Sequence, residues 1–286
     1  MRTDEITIDE TTVRRMLAAQ FPEWAGLSLR PFASGGTVNA IYRLGDDKMV
    51  RLPRFASSVP SVRQEHDLVR RLGPLLPFDV PDLLAVGEPS ELYPFNWSIY
   101  RWLDGVPPLE GEASPALAED LASFVNAFRQ IDLPDGRAAY RGGPLTEQDD
   151  ETRKYLAECE GLIDVPAATK AWDAALEAEP ARSEGWVHAD LMPGNLLAAG
   201  GRLSAVIDFE TCGVGDPACD LIPAWNLLDP ATRPQFREAL DVDDATWLRG
   251  QGRALSMAII QLPYYQHTNL TMAANARYVI NQVLSA

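Results

Sequence analysis

The segment WVHADLMPGNLLAAGGRLSAVIDFE, residues 186–210, limits what this 286-residue chain can fold into more than any other stretch. Two of its apolar runs, residues 196–198 and 203–207, are too short for helices and read as strands joined by a turn at Gly200 and Gly201. Ahead of them, Pro193 and Gly194 bend the chain between Asp190 and Asn195, which makes that interval a loop. Asp208 then ends the run LSAVI, so a carboxylate sits where a buried strand opens toward a cleft. Such a group is costly to bury unless a cation or hydrogen bonds compensate it.

His188, Asp190 and Asn195 stand in the pattern H-x-D-x-x-x-x-N. Phosphoryl transfer calls for an acid that orients the acceptor hydroxyl and takes its proton, and for oxygen ligands to Mg2+. Asp190 suits the first task; Asn195 and Asp208 suit the second, one as a neutral and one as a charged oxygen ligand. Either Asp190 or Asn195 alone would read as a turn cap. As a pair upstream of IDFE they read as chemistry. Glu210 keeps three readings open: an acid supporting the metal ligands, a contact to substrate, or a salt-bridge partner. His188 reads as a structural residue bracing the loop, because Cys212 and Cys219 bring no His/Cys cluster that would make it a zinc ligand. In GDPACDLIPAW, Asp216 or Asp220 could cap a helix that fixes the loop, and structural support is expected from at least one of them rather than a second metal pair.

The first hundred residues have a different texture. Residues 11–21 read as an amphipathic helix stopped by Pro22, NAIYRL and KMVRLP as a hairpin turning near Gly45, and residues 61–72 as a second helix. Ser34, Gly35, Gly36 and Thr37 could turn closely over phosphates, with Asn39 steadying the turn or meeting the ligand, although the glycines match neither the Walker nor the full kinase pattern. Arg51 can grip phosphate with two parallel hydrogen bonds, and Glu65 on the following helix is expected to pair with it. After Asp104 the chain turns helical: Ser114 and Pro115 suit the start of one helix, residues 151–163 and 170–177 suit two more, and residues 247–284 are mainly helical with a break at NLT. The expected architecture is α+β and bilobal, with a hinge near residues 102–108 and a ligand cleft there.

Charge narrows the ligand. The formal charge is -16, of which residues 1–103 carry -1 and residues 104–286 carry -15. That field disfavours nucleic acid and anionic lipid, and no basic stripe alternates with aromatics as a nucleic-acid platform requires. Solubility is the plainer reading of the acid; a cationic small molecule near a cleft is the sharper one. The first thirty residues lack a signal-peptide core, and the apolar run at 257–262 is too short to span a bilayer, so no membrane role and a cytoplasmic location are expected. The three cysteines are expected to be reduced and structural.

HADLMPGN, IDFE and GDPACDL, with the weaker SGGTVN, MVRLPR and QEHDLVRRL, resemble the aminoglycoside phosphotransferase family, whose fold is protein-kinase-like; the likeness runs through residues 34–221. By that resemblance Asp190 matches the catalytic aspartate, Asn195 and Asp208 the magnesium ligands, Glu65 the acid of the first-lobe helix, and Asn39 falls in the phosphate-loop region. The chain departs from the pattern at the nucleotide-binding lysine, where Arg51 stands; Lys48 lies three positions earlier, on the other side of the strand. The resemblance implies a nucleotide-binding lobe over residues 1–103 and a catalytic, substrate-binding helical lobe over 104–286. It also implies Mg2+-dependent transfer of the terminal phosphoryl group of ATP or GTP to a small-molecule hydroxyl. Family members act on aminoglycosides, macrolides, choline-like molecules and sugars, so an antibiotic is one candidate acceptor. The alternative is a catalytically silent nucleotide-binding module. Protein phosphorylation fits less well, since no long activation segment follows IDFE.

Overall fold

In the computed structural model, which describes residues 6, 8–32, 39–55, 62–134 and 136–285, the chain divides into two units. The first comprises Met1–Pro74 and Asp79–Asp104, the second Leu75–Phe78 and Gly105–Ala286.

In the first unit, Asp9 starts helix α1 (Glu10–Gln20) by accepting the Thr12 N–H at 2.7 Å. Its apolar positions Val13, Met16 and Leu17 recur at helical spacing and are buried. They pack on one face of an antiparallel sheet of β1 (Leu29–Phe32), β2 (Asn39–Leu44), β3 (Lys48–Pro53), β4 (Leu83–Gly87) and β5 (Trp97–Arg101), in the order β1-β2-β3-β5-β4. Cross-strand register sorts the side chains. Tyr42, Val50 and Ile99 stand opposite one another on the core face, whereas Ile41, Arg51 and Ser98 share the other face. Lys48, in register with Leu44, lies on the core side of the strand and pairs with Asp47 at 2.8 Å. Helix α2 (Val62–Leu72) buries Glu65, Val69 and Leu72.

The second unit is built on helices. Ser114 caps α3 (Pro115–Arg129) through the Leu117 N–H at 3.1 Å, and Leu117, Leu121, Phe124 and Phe128 form its buried stripe. Helices α4 (Asp149–Glu158) and α5 (Val165–Glu177) depart from the sequence expectation at their inner ends. The first stops before Gly161, whose φ of 76° breaks a helix, and the second starts five residues early because Asp164 caps the Ala167 N–H at 3.0 Å. Then follow α6 (Pro223–Asn226), α7 (Arg233–Leu240), α8 (Asp244–Tyr265) and α9 (Leu270–Leu284). Among the described residues no helix is long and apolar enough to cross a membrane.

Two small antiparallel ladders sit among these helices: β7 (Leu196–Ala199) with β8 (Arg202–Val206), and β6 (Gly185–Val187) with β9 (Gly213–Gly215). On its other edge β9 receives the irregular segment after residue 135. Val214 N–H donates to the Arg137 carbonyl at 2.7 Å, and Ala139 N–H donates back to Val214 at 2.9 Å. The approach is close enough to require glycine. A Cβ on Gly213 would stand 2.4 Å from the Arg137 oxygen and 2.6 Å from the Ala139 nitrogen, both backbone atoms that cannot swing aside. Gly213→Ala is therefore expected to cost about 1–3 kcal/mol, lowering the melting temperature by several degrees. A melt identical to wild type would show that the segment can yield.

Candidate active site

Strand β6 delivers the chain into the loop 188–195, and a buried carboxylate fixes its entry. Asp220 Oδ2 accepts the His188 N–H at 2.9 Å and Oδ1 accepts the Ala189 N–H at 2.8 Å. Burial pushes the Asp220 carboxyl up to about 6, against the pull of those two N–H groups. Ala189 adopts φ 65°, a left-handed conformation that costs a non-glycine residue about 1–3 kcal/mol unless its surroundings over-determine it. Asp220 supplies that constraint, and the chain turns to present Asp190. Four residues earlier Asp216 caps the short helix Pro217–Leu221 through the Ala218 N–H at 2.9 Å. Both aspartates thus act on backbone, where support from at least one was expected, and of the two Asp216 is the helix cap.

His188 sits fully buried against the rings of Phe124, Phe128 and Phe209, the last with centroids 4.9 Å apart. Its Nε2 lies 3.2 Å from the Ile207 carbonyl, a geometry in which the neutral Nε2–H tautomer donates. Burial drives its pKa down to about 4. The ring is thus a neutral tie between this loop and the end of β8, and its NMR signals should not titrate between about pH 5.5 and 8. A midpoint near 6.5 would contradict the burial.

Asp190 and Asn195 close the loop on itself. Asn195 Nδ2 donates to the Asp190 carbonyl at 2.9 Å and to Asp190 Oδ2 at 2.8 Å, and the Ile207 N–H donates to the Asn195 carbonyl at 2.9 Å. That last bond brings the residue before Asp208 against the loop. Asp208 itself takes φ 67°. Burial, then the charge of Asp208, push the Asp190 carboxyl up to about 6, with Asn195 and Arg141 opposing. The donor set suits a hard cation. With its nitrogen turned to Asp190, Asn195 has its side-chain oxygen Oδ1 free of hydrogen bonds among the described residues, and the Asp208 carboxylate likewise accepts none. No group of three His, Cys, Asp or Glu side chains able to hold a metal occurs among the described residues. One carboxylate and one amide oxygen match an ion that takes its other ligands from water and phosphate, as Mg2+ does.

Glu210 is exposed, and its side chain makes no hydrogen bond or ion pair among the described residues; its carbonyl is what the fold uses. Arg137 Nη2 donates to that carbonyl and to Phe209 O at 3.2 Å, while Nε donates to Cys212 O at 2.9 Å. Asn226 similarly donates to the Leu191 carbonyl at 3.1 Å. Neither residue is singled out by sequence reasoning. Each acts across more than thirty residues through backbone oxygens, which leaves no local pattern to read.

In the first unit, Arg51 Nη1 lies 3.8 Å from Glu65 Oε2, the pair expected from the sequence, with Glu65 only 5% exposed. Asn39 opens β2. Ser34, Gly35, Gly36 and Thr37 lie outside the described residues.

Residues 28–255 match the phosphotransferase enzyme family. No curated protein matches the chain by sequence. Among solved structures, the GDP and kanamycin complex of APH(2")-IIia is similar with a TM-score of 0.72 at 17% identity, over 96% of this chain and 99% of that one. The streptomycin-ATP-APH(2")-IIa ternary complex is similar with a TM-score of 0.62 at 18% identity, over 92% and 93%. The macrolide 2'-phosphotransferase MphH from Brachybacterium faecium follows with a TM-score of 0.61 at 22% identity, over 95% and 97%. At these identities the structural likeness carries the fold: a kinase-like architecture with a sheet-bearing first unit and a larger helical second unit.

Proposed function

The chain belongs to the phosphotransferase enzyme family, and from that premise we propose that it transfers the terminal phosphoryl group of ATP or GTP to a hydroxyl of a small molecule, with Mg2+ as the metal cofactor. The observation that carries this reading is the Asp190–Asn195 pair, locked by two hydrogen bonds beside Asp208. Asp190 orients the acceptor hydroxyl and takes its proton as the oxygen attacks phosphorus. The bond to the bridging oxygen breaks, and the nucleoside diphosphate leaves with the electron pair. Asn195 Oδ1 and the Asp208 carboxylate would hold Mg2+, which when bound neutralises phosphate charge and draws the leaving group's electrons. His188 and Asp220 keep the loop in place, and Asp216 supports the helix that carries Asp220. In the first unit, Arg51 steadied by Glu65 binds phosphate in the lysine's stead; Asn39 and the segment Ser34, Gly35, Gly36 and Thr37 complete the nucleotide contacts.

The acceptor class is an aminoglycoside, a macrolide or a comparable hydroxyl-rich compound. Relatives named for both antibiotic classes support that range, and the -15 charge of residues 104–286 supports an amino-bearing acceptor within it. Purified protein incubated with Mg2+, ATP or GTP and a panel of aminoglycosides, macrolides, sugars and amino alcohols should give one product that gains a single phosphoryl group by mass spectrometry. Nucleotide binding with neither hydrolysis nor transfer would instead establish a silent nucleotide-binding module. Turnover only of uncharged acceptors would remove the charge preference and leave the reaction.

A further inference from the structure

Arg141 has no role in the reaction as described, yet its backbone is tied to the same elements as Asp190. The preceding residue, Tyr140, donates its N–H to the Thr211 carbonyl at 2.9 Å, and the Thr211 hydroxyl donates to the His188 carbonyl at 2.9 Å. Arg141 then adopts φ 56°. Among the described residues, three of the four non-glycine residues with positive φ are Arg141, Ala189 and Asp208. The conformation of Arg141 is held from outside. Its carbonyl accepts from Arg253 Nη1, from Gln148 Nε2 at 3.3 Å and from Cys219 Sγ at 3.7 Å.

A backbone so constrained aims its side chain. The side chain is 19% exposed and donates Nη2 to Glu151 Oε2 at 3.0 Å. Nε and Nη1 make no hydrogen bond among the described residues, and the guanidinium carbon lies 5.6 Å from the centroid of the Tyr140 ring. Among the described residues, the charge of Arg141 draws the Asp190 carboxyl down, against burial and the charge of Asp208. A residue serving only to brace α4 would need the Glu151 bond and nothing more. An always-charged donor whose Nη1 bonds nothing among the described residues, and whose charge reaches Asp190, is matched to a phosphate oxygen.

We propose that Arg141 is a catalytic residue that donates Nη1 hydrogens to a non-bridging oxygen of the phosphoryl group in flight. The inference rests on the phosphotransferase reading. In the step it assists, the bond between the terminal phosphorus and the bridging oxygen breaks, the diphosphate takes the electron pair, the acceptor oxygen bonds phosphorus, and its proton passes to Asp190. Arg141 gains and loses no proton; it stabilises charge on the three equatorial oxygens.

Basal hydrolysis of Mg·ATP and Mg·GTP, in which water is the acceptor, reads this step before any acceptor is known. Orthophosphate release would be followed for wild type, Arg141→Gln, Arg141→Lys and Glu151→Gln, with melting curves for each. Arg141→Gln should lower kcat by roughly 10- to 10³-fold, at or below the range for arginines that act on a transferring phosphoryl group. Its nucleotide KM and melting temperature should stay near wild type, Arg141→Lys should recover part of the rate, and Glu151→Gln should stay within about twofold of wild type. An unchanged kcat in Arg141→Gln, or an equal loss in Glu151→Gln, would reduce Arg141 to a brace for α4 and overturn the proposal. A wild-type protein that turns over neither nucleotide, with water or with the acceptor panel, would instead bring down the phosphotransferase reading itself.

Discussion

Replacing Asp190 with asparagine is expected to lower phosphoryl transfer by about 10²- to 10⁴-fold, the range for losing a positioned acid-base group. The substitution is nearly isosteric, and the amide carbonyl can still accept from Asn195 Nδ2, which now bonds Oδ2 at 2.8 Å. The loop should keep its shape, and nucleotide affinity should hold within a few-fold. What is lost is the negative oxygen proposed to orient the acceptor hydroxyl and take its proton. Stability should move the other way. Burial first, then Asp208, raise the Asp190 carboxyl to about 6, so between roughly pH 4 and 6 the native state binds more protons than the unfolded chain. Stability is therefore lost as pH rises through that window, and at neutral pH the wild type carries an ionised group its surroundings disfavour. Asparagine removes that burden. In the absence of nucleotide and metal, the variant should melt no lower than wild type at pH 7. Wild-type transfer by a folded Asp190→Asn protein would remove Asp190 from the mechanism; a large fall in melting temperature would mean that its carboxylate holds the loop.

The residues that could be read from sequence are those whose function is written locally. The hairpin of β2 and β3 alternates in burial and turns at Gly45, with φ 62°, and α3 announces itself through Ser114, Pro115 and a helical stripe. The proposed set Asp190, Asn195 and Asp208 could be picked out because loop and strand end lie close in the chain. Strands β6 and β9, three residues each, are too short to show alternation, and the spacing Gly213-Val214-Gly215 was the one available sign of a close backbone approach. Edge strand β4 was hidden by the prolines before it and by a register shift between Leu83 and Ala85. Arg137, Arg141 and Asn226 were illegible for a different reason. An arginine whose task is to cap carbonyls some seventy residues away has the same sequence signature as a solvated one.

The largest stability effect is expected from Asp216→Ala, because it would leave two buried arginines without their counter-ion. Arg249 donates Nε to Asp216 Oδ2 at 2.9 Å and Nη2 to Oδ1 at 3.2 Å, and Arg253 Nη2 reaches Oδ2 at 3.1 Å. All three side chains are at most 7% exposed. Breaking such a cluster from one side costs about 3–5 kcal/mol, since the remaining charges keep their desolvation penalty and lose their compensation. For a chain of this size that is a fall of roughly 10 °C or more in melting temperature. Burial alone would raise the Asp216 carboxyl, but the Arg249 hydrogen bonds and the Arg253 charge hold it below the usual carboxylate range. A depressed folded-state value means that the stabilisation is present above the unfolded value near 4 and is lost as pH falls through the folded one. Wild type should therefore shed this contribution below about pH 4, where the variant has none to lose, and the gap between their melting temperatures should narrow. Activity should fall with stability even in the folded fraction. Arg253 also donates to the Arg141 carbonyl and, at 2.7 Å, to the Gly143 carbonyl, while the short helix capped by Asp216 carries Asp220 to the His188 and Ala189 N–H groups. Asp216→Asn, which keeps the hydrogen-bonding shape without the charge, should fall between the two. An alanine variant within 1 kcal/mol of wild type would mean that the arginines find water or another acid, and that the loop does not depend on this cluster.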